Sequence, residues 1–296
     1  MKNRVTHQQI IPLVKQEIGG DPKTVSGDIT LSEKNESYKI VKKFVNDNTT
    51  DIVTPKLFME KNGYCRLGKI IEPRVALAEL SKYPVYNGHV KTRSNHKPIT
   101  NYHNVRLKSG IYSWDAQDLL KCKSITDLAS NPMIIQFVSD YLGCIPTCYS
   151  LNCMLSDGKS DHGTTTPHRD LDDFKWVTLF VYLTGGKEDS GAHIFEAGSH
   201  LGNPNTKNGW ETEPQSGEQV VLSAPTGHAV ATDSWGVHYG APMVDGKRRI
   251  CLWIRYGLYD NWTSRVSDKI HEIECKEHTI DMSTDLNKYV FRFLVD

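Results

Sequence analysis

His168 and Asp170 stand two residues apart, and His238 follows seventy positions later. Two imidazoles and one carboxylate in the order His-x-Asp…His are the ligand types of a facial triad. Such a triad holds Fe(II) on one face and leaves the remaining positions open. Arg249, eleven residues past His238, adds a permanent cation. Its planar fork pairs with a carboxylate through two hydrogen bonds. Side chains two apart on a strand point the same way, so His168 and Asp170 can share a face. His238 must then arrive from a neighbouring strand. With 12 His in 296 residues, about one His-x-Asp arises by chance, so the doublet needs context.

The context is a run of motifs. Pro167-His168-Arg169-Asp170-Leu171-Asp172-Asp173-Phe174-Lys175 leads into the apolar stretch Trp176 to Thr184. Ser190-Gly191-Ala192-His193 and Ala197-Gly198-Ser199-His200 follow, then Gly236-Val237-His238-Tyr239-Gly240 and Arg248-Arg249-Ile250-Cys251-Leu252-Trp253. This order, over roughly residues 120–260, resembles the phytanoyl-CoA dioxygenase family of Fe(II)/2-oxoglutarate oxygenases. The resemblance implies a double-stranded β-helix with a jelly-roll, cupin-like core and flanking helices. It implies Fe(II) on His168, Asp170 and His238, with 2-oxoglutarate and O2 as co-substrates. Arg249 would grip the distal carboxylate of 2-oxoglutarate. The activity implied is hydroxylation of a C–H bond in a small molecule, with release of succinate and CO2.

Finer roles come from the same resemblance. Asn152, on the strand before the first ligand, would reach the co-substrate, and Thr178, on the strand after it, would lie near. Relatives that halogenate carry Ala or Gly where this chain has Asp170, so the carboxylate argues for hydroxylation. One departure stands out. Many relatives place Ser or Thr two residues after the distal His, but here that residue is Gly240. Its contact would be missing, or supplied by Thr178 or Tyr239.

The elements that must position these residues are legible by period. Thr147–Leu155, Trp176–Thr184, His193–Glu196, Gln219–Ser223, His228–Asp233 and Arg248–Tyr256 read as short strands bounded by turn residues. On the last, alternation puts Arg249, Cys251, Trp253 and Arg255 on one face and the aliphatic residues on the other. Arg248 then points outward; the opposite register would bring it inward instead. Pro132 opens a helix with Ile134, Ile135, Phe137, Val138, Tyr141 and Leu142 apolar, and Gly143 is placed to end it. Ser124-Ile125-Thr126-Asp127 has capping-box spacing. Two earlier helices are expected. One spans Ser32–Asn46, and the other runs from Pro73 to about Lys82 with Val75, Leu77 and Leu80 as its apolar face. Residues 1–110 read as a helical and irregular extension packed on a catalytic core of residues 111–296.

Other polar residues have plainer readings. His193 and His200 fit turns between strands, and His162 and His228 fit the surface or a satisfied core. Arg169, Asp172, Asp173 and Lys175 suit a solvated loop or a substrate contact. Trp235 suits the core or the mouth of the site. Cys144, Cys148 and Cys153 are spaced as a zinc cluster could be, but they lack a second ligand pair and fit buried strands better.

Composition bounds the partners. Thirty-five basic and 35 acidic residues cancel, which leaves no basic field for nucleic acid or an anionic membrane. No apolar stretch approaches the roughly 20 residues of a membrane span. The N-terminus lacks a signal peptide's apolar core, and seven Cys, an odd number, fit reduced thiols in the cytoplasm. Two further functions use the same features: a divalent-metal hydrolase on the same ligands, and a non-catalytic barrel that binds a metabolite or saccharide.

Overall fold

The computed structural model describes residues 53–88, 97–99, 102–104, 110–143, 145–157, 165–170, 175–201, 217–258, 275–292 and 294–295. The helix expected over Ser32–Asn46 lies outside them. Among the described residues, ten strands form two antiparallel sheets. The strands are β1 (Tyr64–Lys69), β2 (Val85–Asn87), β3 (Ile111–Trp114), β4 (Thr147–Asp157), β5 (Val177–Thr184), β6 (His193–Glu196), β7 (Gln219–Leu222), β8 (His228–Thr232), β9 (His238–Gly240) and β10 (Arg248–Gly257). The larger sheet runs β1-β8-β5-β10-β4-β3-β2 and the smaller β7-β6-β9. The six strands expected from pattern are β4 to β8 and β10, each within two residues of its expected ends.

The larger sheet is buried on both faces. Val177, Leu179, Val181, Leu183, Ile250, Leu252, Ile254 and Tyr256 join the helix-side core. Phe180, Tyr182 and Cys251, with Val230 of β8, face the smaller sheet, where they meet Phe195 and Leu222. A one-residue slip of β10 would exchange these faces. Arg249 and Arg255 would then enter an aliphatic layer, at a cost of several kcal/mol for each unpaired charge. That asymmetry fixes the register the site depends on.

Helices cover the outer face. These are α1 (Val53–Asn62), α2 (Pro73–Leu80), α3 (Ala116–Leu119), α4 (Lys123–Ala129), α5 (Pro132–Leu142) and α6 (Asp285–Val290). Asn131 caps α5 through the Met133 N–H, and Gly143 ends it at φ 78°, a conformation that costs a residue with a Cβ about 1–2 kcal/mol. No helix among the described residues is long and apolar enough to cross a membrane.

Two expectations need correction. The capping box at Ser124 does not form. α4 starts two residues earlier, on Cys122 without a side-chain cap, and Glu79 Oε2 instead accepts from both the Ser124 N–H and Oγ–H, at 2.9 and 2.6 Å. On α2, Pro73, Ala76 and Leu80 are buried, whereas Val75 is 49% exposed. The helix is only eight residues long, so a small rotation decides which residue meets the sheet. In the larger sheet β1 covers the outer edge of β8 and β2 lies beyond β3.

Candidate active site

His168 and His238 face each other in an antiparallel bridge. Each backbone N–H donates to the other's carbonyl, at 3.1 and 2.9 Å, and the Asp170 N–H donates to the Ser234 carbonyl at 3.0 Å. These three bonds seat the His-x-Asp segment on the chain entering β9. The ring nitrogens are also fixed. His168 Nδ1 lies 2.7 Å from the Thr166 carbonyl and His238 Nδ1 lies 3.0 Å from that of Gly236. A carbonyl only accepts, so each Nδ1 carries the proton and each Nε2 presents a lone pair. This is how metal-binding histidines are oriented by their outer contacts.

The three candidate ligand atoms lie within 4.8 Å of one another, with His238 Nε2 3.6 Å from Asp170 Oδ2. Burial, with the neighbouring His238, pushes the His168 imidazole down to about 4, so it is neutral and able to ligate at pH 7. Burial alone would raise the Asp170 carboxyl. The Arg255 guanidinium and the two imidazoles outweigh it and hold the group well below the usual carboxylate range. Arg255 Nη2 donates to Asp170 Oδ2 at 3.0 Å, a pairing that the pattern of β10 does not by itself reveal.

The loop that carries the triad is clamped from behind. Arg169 is fully buried and donates from Nη1 to the carbonyls of Ser199 and Trp235 at 2.9 and 2.6 Å. It is neither solvated nor aimed outward, and burial lowers its guanidinium to about 10. Ser199 Oγ accepts from the Val237 N–H at 2.8 Å. Asp233 accepts from the Tyr141 hydroxyl at 2.7 Å and the Trp235 N–H at 3.1 Å, which ties the turn before His238 to the end of α5. Lys175 Nζ caps the same helix end by donating to the Tyr141 carbonyl at 2.5 Å. Trp235 is buried and packs on Trp176 and Tyr149.

Arg249 is 6% exposed and lies inward, and Arg248 is exposed. Arg249 Nη1 donates to the Gly191 carbonyl. No carboxylate among the described residues pairs with it. Asn152 stands opposite Trp253 across β4 and β10, and its Nδ2 donates to Ser150 Oγ at 2.7 Å. Thr178 is fully buried opposite Arg255; its Oγ1 accepts from Ser234 Oγ at 2.8 Å. His200 Nε2 meets the Glu60 carbonyl at 3.1 Å. His193 lies inside, stacked on Phe180 with ring centroids 3.7 Å apart. Cys148 and Cys153 are both buried, and burial pushes both thiols up, away from the thiolate form zinc requires. Cys144, His162, Asp172 and Asp173 lie outside the described residues.

No protein-family profile matches the chain, and no curated protein matches it in sequence. Solved structures do match. The non-heme alpha ketoglutarate dependent epimerase SnoN from nogalamycin biosynthesis has a TM-score of 0.51 at 15% identity, over 69% of this chain and 82% of that one. SnoN in complex with Fe3+, alpha ketoglutarate and nogalamycin RO gives 0.50 at 17% identity, with the same coverages. The non-heme monooxygenase ThoJ gives 0.50 at 17% identity, over 70% of this chain and 76% of that one. The likeness is one of fold. It establishes the double-stranded β-helix.

Proposed function

We propose that the protein is an Fe(II)/2-oxoglutarate-dependent dioxygenase that oxidises a C–H bond of a small molecule. One observation carries the reading: two Nε2 lone pairs converge with a carboxylate in the same interior as a buried arginine that has no acidic partner among the described residues. The donor set suits a borderline cation such as Fe(II). Bound there with 2-oxoglutarate and O2, the iron supplies oxidising chemistry that yields succinate, CO2 and an oxidised substrate. His168, Asp170 and His238 hold the ion, and Asp170 fills the corner a halide would need. Arg249 binds the distal carboxylate of 2-oxoglutarate. Asn152 and Thr178 lie on β4 and β5, the strands that flank β10, and steady the co-substrate through their polar neighbours. The surrounding aromatic side chains exclude water and strengthen these charge pairs.

The motif order from Pro167 to Trp253 supports a phytanoyl-CoA dioxygenase-like branch. The SnoN complex holds Fe3+, alpha ketoglutarate and nogalamycin RO, which supports a small-molecule substrate here. Balanced charge supports the same substrate class over nucleic acid. Six described cysteines, buried and unbridged, support a cytoplasmic setting. A hydrolase on the same ligands has no use for a buried cation at Arg249.

Succinate release from 2-oxoglutarate, measured against a panel of candidate small molecules, tests the reading. The expected result is Fe(II)- and O2-dependent succinate, with products that gain one oxygen and no chlorine in excess chloride. Arg249→Ala should raise the apparent 2-oxoglutarate KM by ~30-fold or more, from the loss of a charge-assisted pair of about 2–5 kcal/mol, while Arg248→Ala changes it little. Metal-dependent hydrolysis without succinate would refute it.

A further inference from the structure

The interior between the triad and Arg249 contains a second polar pair, Tyr182 and His193. The chain leading into β6 works as a ruler for it. The Gly191 carbonyl accepts from Arg249 Nη1, Phe195 pairs with His238, and His193, midway, stands opposite Gly240. At about 3.3 Å per residue, His193 is roughly 7 Å along the strand from each end of the site. Gly240 offers no side chain, and the imidazole of His193 occupies the strand position facing it.

The ring is held in one orientation. It is 5% exposed, stacks on Phe180, and meets the edge of Trp253 at 6.0 Å. The Tyr182 hydroxyl lies 3.0 Å from His193 Nδ1 and accepts the His193 backbone N–H at 3.1 Å. It also donates to the Leu222 carbonyl at 3.1 Å. Among the described residues, nothing bonds to Nε2. Burial first, then Arg249, holds His193 well below its ordinary value, with smaller effects from His238 and His168. The imidazole is therefore neutral, and Arg249 is the charge that influences it most.

We infer that His193, oriented by Tyr182, is a second binding residue for the distal carboxylate of 2-oxoglutarate, acting beside Arg249 and opposite the bare position at Gly240. In the tautomer this requires, the Tyr182 hydroxyl turns its one proton from the Leu222 carbonyl to Nδ1, and Nε2–H donates to the carboxylate. A neutral donor beside a fixed cation distinguishes a dicarboxylic oxo acid from a monocarboxylic one without adding charge. The inference rests on the co-substrate reading above.

Anaerobic calorimetric titration of the full-length Fe(II)-loaded protein tests it, with 2-oxoglutarate and with 2-oxobutanoate, which keeps the chelating oxo acid but lacks the distal carboxylate. His193→Phe should weaken 2-oxoglutarate binding tenfold or more and leave 2-oxobutanoate within about twofold, as expected from loss of a hydrogen bond to a charged group. Tyr182→Phe should show a smaller loss with the same selectivity, and His193→Gln, which keeps a donor, should retain part of the preference. If His193→Phe fails to fold, Tyr182→Phe and His193→Gln decide the matter. Equal losses for both acids, or none, would overturn the inference and leave the co-substrate reading standing. A wild-type protein that binds neither acid would refute that reading itself.

Discussion

Arg255 is the residue that does most for the triad without being part of it. Its Nη2 reaches the Asp170 carboxylate at 3.0 Å, and both side chains are largely buried. A ligand carboxylate held on one oxygen presents the other in a fixed direction, and partners of this kind typically account for 10–100-fold in metal affinity. Arg255→Met keeps the aliphatic stem and removes the charge. Competition with a chromophoric chelator should show Fe(II) affinity lower by about that factor, with Arg255→Lys intermediate. Unchanged affinity would mean that the pair is incidental. The residues of the proposed triad and Arg249 stand out in the sequence because they come in a recognisable order and spacing. Arg255 and Asp170 lie 85 residues apart, and only the three-dimensional arrangement of the strands brings them together. His193 reads as a turn histidine for a similar reason: its significance depends on Gly240 across the strand and Arg249 near the start of β6.

The elements around β9 are built to deliver one histidine. Gly236 is packed so closely that a Cβ there would fall 2.3 Å from Phe195 Cζ and 3.0 Å from Ser199 Oγ. Its carbonyl also fixes the His238 tautomer. Gly236→Ala should therefore cost about 1–3 kcal/mol in stability, as overpacking does, and lower metal content because the carbonyl must move. A thermal melt and metal analysis on one sample check both; no change in either would show that the loop adapts freely. Strand existence was readable from alternation because β5 and β10 separate two distinct environments. The ends of the short helices were not. Glu79, 45 residues from Ser124, supplies the contact that a local capping box would have made, and no local pattern encodes a partner so distant.

At the scale of the molecule, one sheet divides a helix-covered apolar layer from a charged interior, and the interior depends on neutral histidines. His168 is held near 4 and His193 well below its ordinary value, in both cases mainly by burial. Unfolded, each would protonate near 6.5. The unfolded state then binds more protons below that pH, so this part of the stability is fully present above about 6.5 and is lost as pH falls toward 4. For His168 alone, the metal-free protein should lose about 2 kcal/mol between pH 7.5 and 5, with His193 acting in the same direction. Urea titrations at the two pH values measure it, and equal midpoints would contradict the assignment of buried neutral imidazoles. The most direct test of the central claim is anaerobic spectroscopy of the Fe(II)-loaded protein during addition of 2-oxoglutarate. The account predicts a visible metal-to-ligand charge-transfer band that saturates at one iron per chain and is abolished by His238→Ala. A spectrum that 2-oxoglutarate leaves unchanged, or a band that survives in His238→Ala, would contradict it.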